Sequence, residues 1–399
     1  MLHHTIEVLG KTAFRMKIAL LNSRKPRRFA PDEPWLRFTM ALGHAIARSG
    51  HTLCTSVGTI GYESAMFGAA MGAGNIEVFV TQSAEHDVMD CLPPNAPSND
   101  LSVRILPPTS VNSEVERDRA IIDAADIVIA VAIRAGGQMQ SLLRARFEQR
   151  RRVEVMLPWD NGPLAAGNRK LLDLGAPPVE PRLWEMARKY LPRSTTNRAQ
   201  LDWTAFFPQW KTSPLSAPTL AHFTRSIDGP WPGQTRGEYL DDLWHGGFRA
   251  RRDGAAALYR ILNSSTLRAS SKLIRGGYPV VSFTAVSPER IGELYRYRAH
   301  LVRWDFEPFG IVFDRDWLAK QNVRPVQYLP SSSFHNLSSE ERPWFQKHEP
   351  PSCDYSAEEE WRHLGDLNFS DAPRDVVRIV SEAESFDIMD ATKACTFRK

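Results

Sequence analysis

The chain has 399 residues, 42% hydrophobic and 24% charged, with a formal net charge of +4. That length exceeds one ordinary core and calls for two domains or three, and the composition excludes a disordered or collagen-like chain. The weak positive balance permits an anionic partner without demanding one.

The four cysteines, Cys54, Cys91, Cys353 and Cys395, form no CxxC pair, which argues against a zinc ribbon or disulfide framework and suits a reducing cytoplasm. MLHHTIEVLGKTAF lacks the apolar core and cleavage site of a signal peptide. No uncharged apolar run approaches the ~18 residues of a membrane span. A cytoplasmic protein without a membrane partner is expected.

In chain order, MKIALLNSRK reads as a buried strand ending in a polar turn. PWLRFTMALGHAIARSG carries apolar residues at helical spacing, with Gly50 at the C-cap. HTLCTS is a second strand, GTIGYESAMFGAAMGAGN a small-residue helix behind a glycine turn, and IEVFVT a third strand. The alternation resumes in ERDRAIIDAADIVIAVAIRAGGQMQSLLRARFEQRRRVEVMLP, followed by AGNRKLLDLGAPPVEP. Alternating strands and helices predict an α/β domain with a Rossmann-like parallel sheet, whose ligands sit at the carboxyl ends of the strands. Glycines in such turns serve either tight packing or close approach of a ligand. Arg117 and Arg119 are either solvated helix charges or ligand contacts. RRR at 150–152 suits a helix end.

The order of IALLNSR, ARSGHTLCTSVGTIGYESAMFGAAMGAGNIEVFV, RDRAIIDAADIVIAVAIRAGGQMQS and GNRKLLDLGAPPV resembles the Rossmann-like core of the DNA-processing (Smf) proteins over residues 16–178. More widely it is similar to the SLOG superfamily, which includes the cytokinin-activating phosphoribohydrolases. The resemblance implies a nucleotide pocket built from Ser23, Arg24, Ser56, Gly58, Gly61, Arg119, Gly136, Gly137 and Ser141. TSVGTIGYES departs from the family's Ser-Gly turn, and the GGxGT loop and catalytic glutamate of the phosphoribohydrolases are missing. These departures favour ligand sensing over hydrolysis. A DNA-processing role asks for a basic groove with stacking aromatics, and no such concentration is present.

Residues 179–235, rich in proline and tryptophan, read as a connector, with one short helix around Leu183–Tyr190 and a boundary at 230–233. Trp203, Phe206, Phe207 and Trp210 suit burial against a neighbouring domain, or base stacking. Residues 236–399 then form a domain of α+β type. EYLDDLWHGG is predicted as a strand and turn, ARRDGAAALYRILNSS as a helix, YPVVSFTAVS as a strand, and PERIGELYRYRAHL as a helix. PFGIVFDRDWLAKQNVRPVQYL reads as strand, helix and strand, and PRDVVRIVS as a late strand or helix start.

LWHGGFRARRDGAAALYRILNSSTLRAS resembles the opening of the ADP-ribosyltransferase fold of poly(ADP-ribose) polymerases and DNA-modifying toxins. The resemblance implies that NAD, as substrate, is held by His245 and Gly246. Ser282 or Thr284 of VVSFT then takes the second position, and Glu360 of EEEWR activates the ribose. Breaking the nicotinamide–ribose bond develops oxocarbenium character, which a carboxylate stabilises. SFT only approximates the family's Ser-Thr-Ser, and no second-strand tyrosine is present. PFGIVFDRDWLAKQNVRPVQYL with EEEWR is also similar to a group of bacterial abortive-infection proteins.

Plainer readings stand beside these. His245 is a capping or packing residue, EEE a solvated acidic helix start, and Arg362 a partner of those acids or of a ligand phosphate. Glu307, Asp314 and Asp316 suit turns and caps better than a metal, and none is expected.

The leading expectation is a bacterial anti-phage defence protein, in which a nucleotide-sensing domain controls an NAD-using effector (ADP-ribosyltransferase or NAD hydrolase). The alternatives are a single-stranded nucleic-acid-binding protein of the DNA-processing type and a nucleotide-processing enzyme active in the first domain. A homo-oligomer is expected in each case.

Overall fold

The computed structural model describes residues 15–23, 29–81, 87–94, 100–107, 113–159, 162–191, 218–286, 290, 297–298, 303–304, 307 and 309–380. Two compact units divide the chain: residues 1–196 with 229–251, and residues 197–228 with 252–399. The segment 236–399, taken from the sequence as one domain, is therefore shared, with 236–251 in the first unit.

The first unit is a six-stranded parallel sheet. Its strands are β1 (Lys17–Asn22), β2 (Thr52–Thr55), β3 (Asn75–Thr81), β4 (Leu101–Leu106), β5 (Ile127–Ala132) and β6 (Val153–Val155), in the order β4-β3-β2-β1-β5-β6. Side chains alternate across such a sheet, and here both sets are apolar. Ile18, Leu20, Leu53, Ile76, Val78, Ile127 and Ile129 enter one core. Helices α1 (Pro34–Arg48), α2 (Ile60–Met71), α6 (Pro181–Arg188) and α7 (Arg236–His245) contribute to that core. Ala19, Leu21, Cys54, Phe79, Val128 and Ala130 enter the other, with α3 (Ser113–Ala124), α4 (Gln138–Glu148) and α5 (Ala166–Asp173). Burial on both faces explains why these strands read as continuous apolar runs.

The small residues of GYESAMFGAAM let α2 lie backbone to backbone with α1. A Cβ on Gly68 would stand 2.0 Å from the Met40 carbonyl oxygen, and one on Gly43 would stand 2.3 Å from that of Ala65.

Among the described residues, the second unit is built on a six-stranded antiparallel sheet. The strands are β7 (Thr219–Phe223), β8 (Val280–Thr284), β9 (Gly310–Asp314), β10 (Arg324–Pro325), β11 (Glu360–Leu364) and β12 (Val377–Val380), in the order β10-β11-β8-β7-β9-β12. Leu220, Val281, Phe283, Ile311, Phe313, Val377 and Ile379 face a core completed by Leu258 and Leu262 of α8 (Gly254–Ser264) and Leu318 of α9 (Arg315–Lys320). Asp253 accepts from the Ala256 amide at 2.9 Å, and Asp314 from that of Trp317 at 2.8 Å, so these acids cap α8 and α9. The fold class is thus the one the sequence implies: a Rossmann-like parallel-sheet domain and an α+β domain.

Three elements differ from the sequence reading. EYLDDLWH is helix α7, because Thr235 and Glu238 form a capping box and Tyr239, Leu240 and Leu243 share a buried stripe. EEEWR is not an acidic helix start: a short 3-10 turn, Ser356–Glu358, leads into strand β11. β4 escapes the pattern because it is an edge strand, exposed from Ser102 to Ile105. Most of PERIGELYRYRAHL lies outside the described residues; its described pair Tyr297–Arg298 forms a short strand. No described helix is long and apolar enough to cross a membrane.

Candidate functional site

In the first unit the strand order reverses between β1 and β5, the position outside the carboxyl ends of the strands where doubly wound sheets hold ligands. Ser23, just after β1, donates its amide to the Ala132 carbonyl at 2.9 Å and accepts from the Arg134 amide at 3.0 Å through its hydroxyl. The two loops are thereby stitched together. After β5, Arg134, Ala135 and Gly136 are exposed. Gly136 has φ +72°, and its amide donates to the Gln140 side chain at 2.6 Å. Gly137 is the N-cap of α4, and the Ser141 hydroxyl donates back to its carbonyl at 3.4 Å. Asn168 of α5 accepts from the Ile133 amide at 2.8 Å, which fixes the exit of β5 from behind.

The turn after β2 is the neighbouring wall. Buried Ser56 donates to the Phe79 carbonyl at 2.7 Å, and Thr59 caps α2. Gly58, with φ +84°, donates its amide to Glu63 at 3.0 Å. Gly61 packs on Asn22, whose Cβ would be 3.1 Å from a Cβ added there. Asn22 donates to the Thr39 hydroxyl at 3.0 Å, and its buried Oδ1 has no hydrogen-bond partner among the described residues.

Of the two arginines on α3, Arg119 is exposed and Arg117 serves this turn. Arg117 lies over the Tyr62 ring, pairs with Asp118 at 3.1 Å and donates to the Val57 carbonyl at 3.4 Å. Tyr62 donates to Asp118 at 2.8 Å. Burial pushes the Tyr62 phenol well above its ordinary range, with the Asp118 charge adding to it. Burial also raises the Asp118 carboxyl, against the pull of Arg117. Glu63, buried, takes a fork from Arg236 of α7, with Nε at 2.7 Å and Nη2 on the same oxygen. Sequence reasoning missed Glu63 and Arg236, which are 173 positions apart. Arg24 lies outside the described residues.

His245 is the last residue of α7, in the first unit. Its Nδ1 bonds the Asp241 carbonyl one turn back at 2.9 Å. Gly246, at φ +71° and ψ −156°, ends the helix in a conformation suited to glycine. A Cβ on Gly246 would stand 2.6 Å from the guanidinium of Arg37, which donates to the Leu243 carbonyl at 3.0 Å. These two residues form the carboxyl end of α7.

Ser282, Thr284 and Glu360 belong to the second unit. They lie on the face of the β8–β11 pair opposite Val281 and Phe283, where Thr284 is in register with Glu360 and Ser282 with Arg362. Ser282 donates its hydroxyl to Glu360 Oε1 at 2.8 Å. Arg362 grips the same carboxylate from Nε at 2.8 Å and Nη2 at 2.9 Å. The Glu360 amide donates to the Tyr328 hydroxyl at 2.9 Å, and burial pushes that phenol up to about 12. Thr284 instead donates to the Glu358 carbonyl at 2.6 Å and so shapes the turn into β11.

A residue the sequence reading did not single out, His222 of β7, bonds the Ser282 carbonyl from Nδ1 at 2.9 Å. Burial lowers its pKa, opposed by that hydrogen bond. A carbonyl only accepts, so Nδ1 carries the proton in this bond. Glu307 accepts from the Gly254 amide at 2.7 Å at the start of α8. Among the described residues no group of three or more His, Cys, Asp or Glu side chains is arranged to hold a metal ion.

No family model and no curated protein sequence matches the chain. Among solved structures it is similar to DNA processing protein A from Helicobacter pylori, described for its single-stranded DNA binding mode. That match has 17% identity and a TM-score of 0.32, over 44% of this chain and 79% of that one. The corresponding protein from Streptococcus pneumoniae matches at 13% identity and a TM-score of 0.32, over 41% of this chain and 58% of that one. The molybdenum cofactor carrier protein from Chlamydomonas reinhardtii matches at 17% identity and a TM-score of 0.30, over 44% and 95%. These are weak resemblances of the N-terminal region to Rossmann-like proteins.

Proposed function

We propose that the first unit binds a nucleotide through its phosphate at the β1/β5 crevice. The observation that carries this reading is the convergence there of Ser23, the exposed Arg134–Gly136 turn and the N-terminus of α4 at Gly137. The dipole at a helix start favours an anion. Arg117 and Glu63 already have protein partners, Asp118 and Arg236, so they shape the neighbouring turn and leave the anion to the backbone and Arg134.

Calorimetric titration with nucleoside phosphates tests this, using Gly137→Glu as the blocking variant. A side chain at 137 has room, since a Cβ there meets only the Arg134 carbonyl oxygen at 3.8 Å. The expected result is saturable binding, weakened about tenfold or more by the added carboxylate. Equal affinity in both proteins would falsify the assignment. Steeply salt-dependent binding of a single-stranded oligonucleotide, without nucleotide binding, would favour the nucleic-acid alternative.

A second reading concerns the other unit and rests on the hydrogen bond between Ser282 and Glu360, 78 positions apart. We infer that Glu360 is the carboxylate of an NAD-using centre. Breaking the nicotinamide–ribose bond sends its electron pair to the nicotinamide nitrogen and leaves an oxocarbenium ion. Oxygen from water or from an acceptor group then bonds to that carbon and loses its proton. A carboxylate held beside the ribose stabilises the developing charge. Together the readings describe a nucleotide-controlled NAD-using effector suited to anti-phage defence. Labelled NAD incubated with the whole protein, with and without nucleotide, should release nicotinamide, and Glu360→Gln should abolish the release. Wild-type turnover in that variant would remove Glu360 from the chemistry.

A further inference from the structure

We infer that Arg362 is a positioning residue, which aims the Glu360 carboxylate and makes no contact with substrate; this rests on the NAD-using reading. A guanidinium has five N–H donors. In Arg362 five acceptors meet them: Glu360 Oε1 at Nε, Glu360 Oε2 and Gln346 Oε1 at Nη2, and the Pro343 and Phe345 carbonyls at Nη1. The distances run from 2.6 to 3.0 Å, and the residue is 2% exposed. No donor is left for a ligand phosphate, which resolves the choice left open for this arginine by the sequence.

What Arg362 controls is direction. Its fork holds both carboxylate oxygens of Glu360, and its far side is pinned to the chain at 343–346. Ser282 meets Oε1 from the adjacent strand. Trp344 locks the same residue from behind, donating its indole N–H to the Arg362 carbonyl at 3.1 Å. Glu360 is thus held in a frame that lysine cannot reproduce, because an ammonium is a point charge with three donors and no planar fork.

The test is Arg362→Lys in the whole protein, read by nicotinamide release and by thermal melting. The charge and most of the packing are retained. The expected result is a kcat about a hundredfold lower, with the KM for NAD within about threefold of wild type. Should Arg362→Lys not fold, Gln346→Leu loosens one bond to the guanidinium, and kcat should fall about fivefold with KM unchanged. A raised KM with intact kcat in either variant would mean that Arg362 touches NAD, and would overturn the proposal. Wild-type kinetics in both would do the same.

If the wild-type protein leaves NAD untouched, the NAD-using reading fails, and positioning is then read from stability alone. The melting losses of Glu360→Gln and Arg362→Lys should overlap in the double variant if the two groups act as one unit, and add if they do not.

Discussion

Arg146 in the first unit and Arg362 in the second are both 2% exposed, yet their bonds go to different places. Arg146 donates only to backbone: Nε to the Arg152 carbonyl at 3.2 Å, Nη1 to that of Ile122, and Nη2 to those of Ala125 and Asp126 at 2.7 and 2.9 Å. These groups close the end of α3 and the approaches to β5 and β6, at the amino ends of the strands. Lys17, the first residue of β1, adds to the bonding on that side by pairing with buried Glu77 at 2.7 Å. The proposed nucleotide crevice lies at the carboxyl ends. Arg362 instead holds a strand, a covering segment and the candidate carboxylate at one point. Arg146 is thus set apart from the proposed site of its unit by the length of the strands, whereas Arg362 is in direct contact with the candidate carboxylate of its own.

The hardest way to test that contrast is Arg146→Leu. Four carbonyls lose their donor in a buried setting, so the first unit should lose about 4 kcal/mol of stability. Nucleotide affinity of the folded fraction should stay within about twofold, because nothing at the crevice has changed. Equilibrium denaturation with parallel titration checks both halves. A large affinity loss with unaltered stability would mean that the two ends of the sheet are not independent.

The same contrast explains what could be read in the residues. β1, β2, β3, β5 and β6 were legible because burial on both faces leaves uninterrupted apolar runs, and α1 because its apolar residues recur at helical spacing. The placement of the proposed ligand site at the carboxyl ends was read from the alternation of strands and helices, and its residues Ser23, Gly58 and Gly137 from resemblance. Glu63–Arg236 did not follow, since nothing local in YES or TRGE announces a partner 173 positions away. The capping box in TRGE was the available signal for α7, outweighed by the surrounding prolines and glycines. In the second unit Ser282 and Glu360 were chosen by resemblance, and the antiparallel register brings them together. His222 carried no motif, and its bond to Ser282 exists only through the pairing of β7 with β8.

A pH titration sharpens the comparison at somewhat smaller cost. His44 of α1 is buried 3.8 Å from the Tyr190 ring centroid and 5.6 Å from that of Trp244, and its Nδ1 has no hydrogen-bond partner among the described residues. Burial, aided by the Arg48 charge, lowers its pKa from 6.5 to about 4. A depressed histidine takes up its proton in the unfolded chain first. Its contribution is therefore intact above pH 6.5, falls as the pH drops toward 4, and levels off below that. The first unit should lose up to about 3 kcal/mol across that window. His44→Phe should flatten this part of the pH profile, and an unchanged slope would assign it elsewhere.

Trp344→Phe is the mildest change and the most discriminating for the second unit. It removes one hydrogen bond, to the Arg362 carbonyl, and shrinks the ring over which Arg324 lies at 5.0 Å. The stability loss should be only about 1 kcal/mol. If fastening and site are one structure here, nicotinamide release should still fall, about threefold, with KM unchanged, because the frame around Glu360 loosens with the bond. In the first unit a loss of the same size far from the crevice should leave ligand affinity untouched. Finding both units equally indifferent to a 1 kcal/mol loss would mean that Arg362 fastens the second unit in the way Arg146 fastens the first.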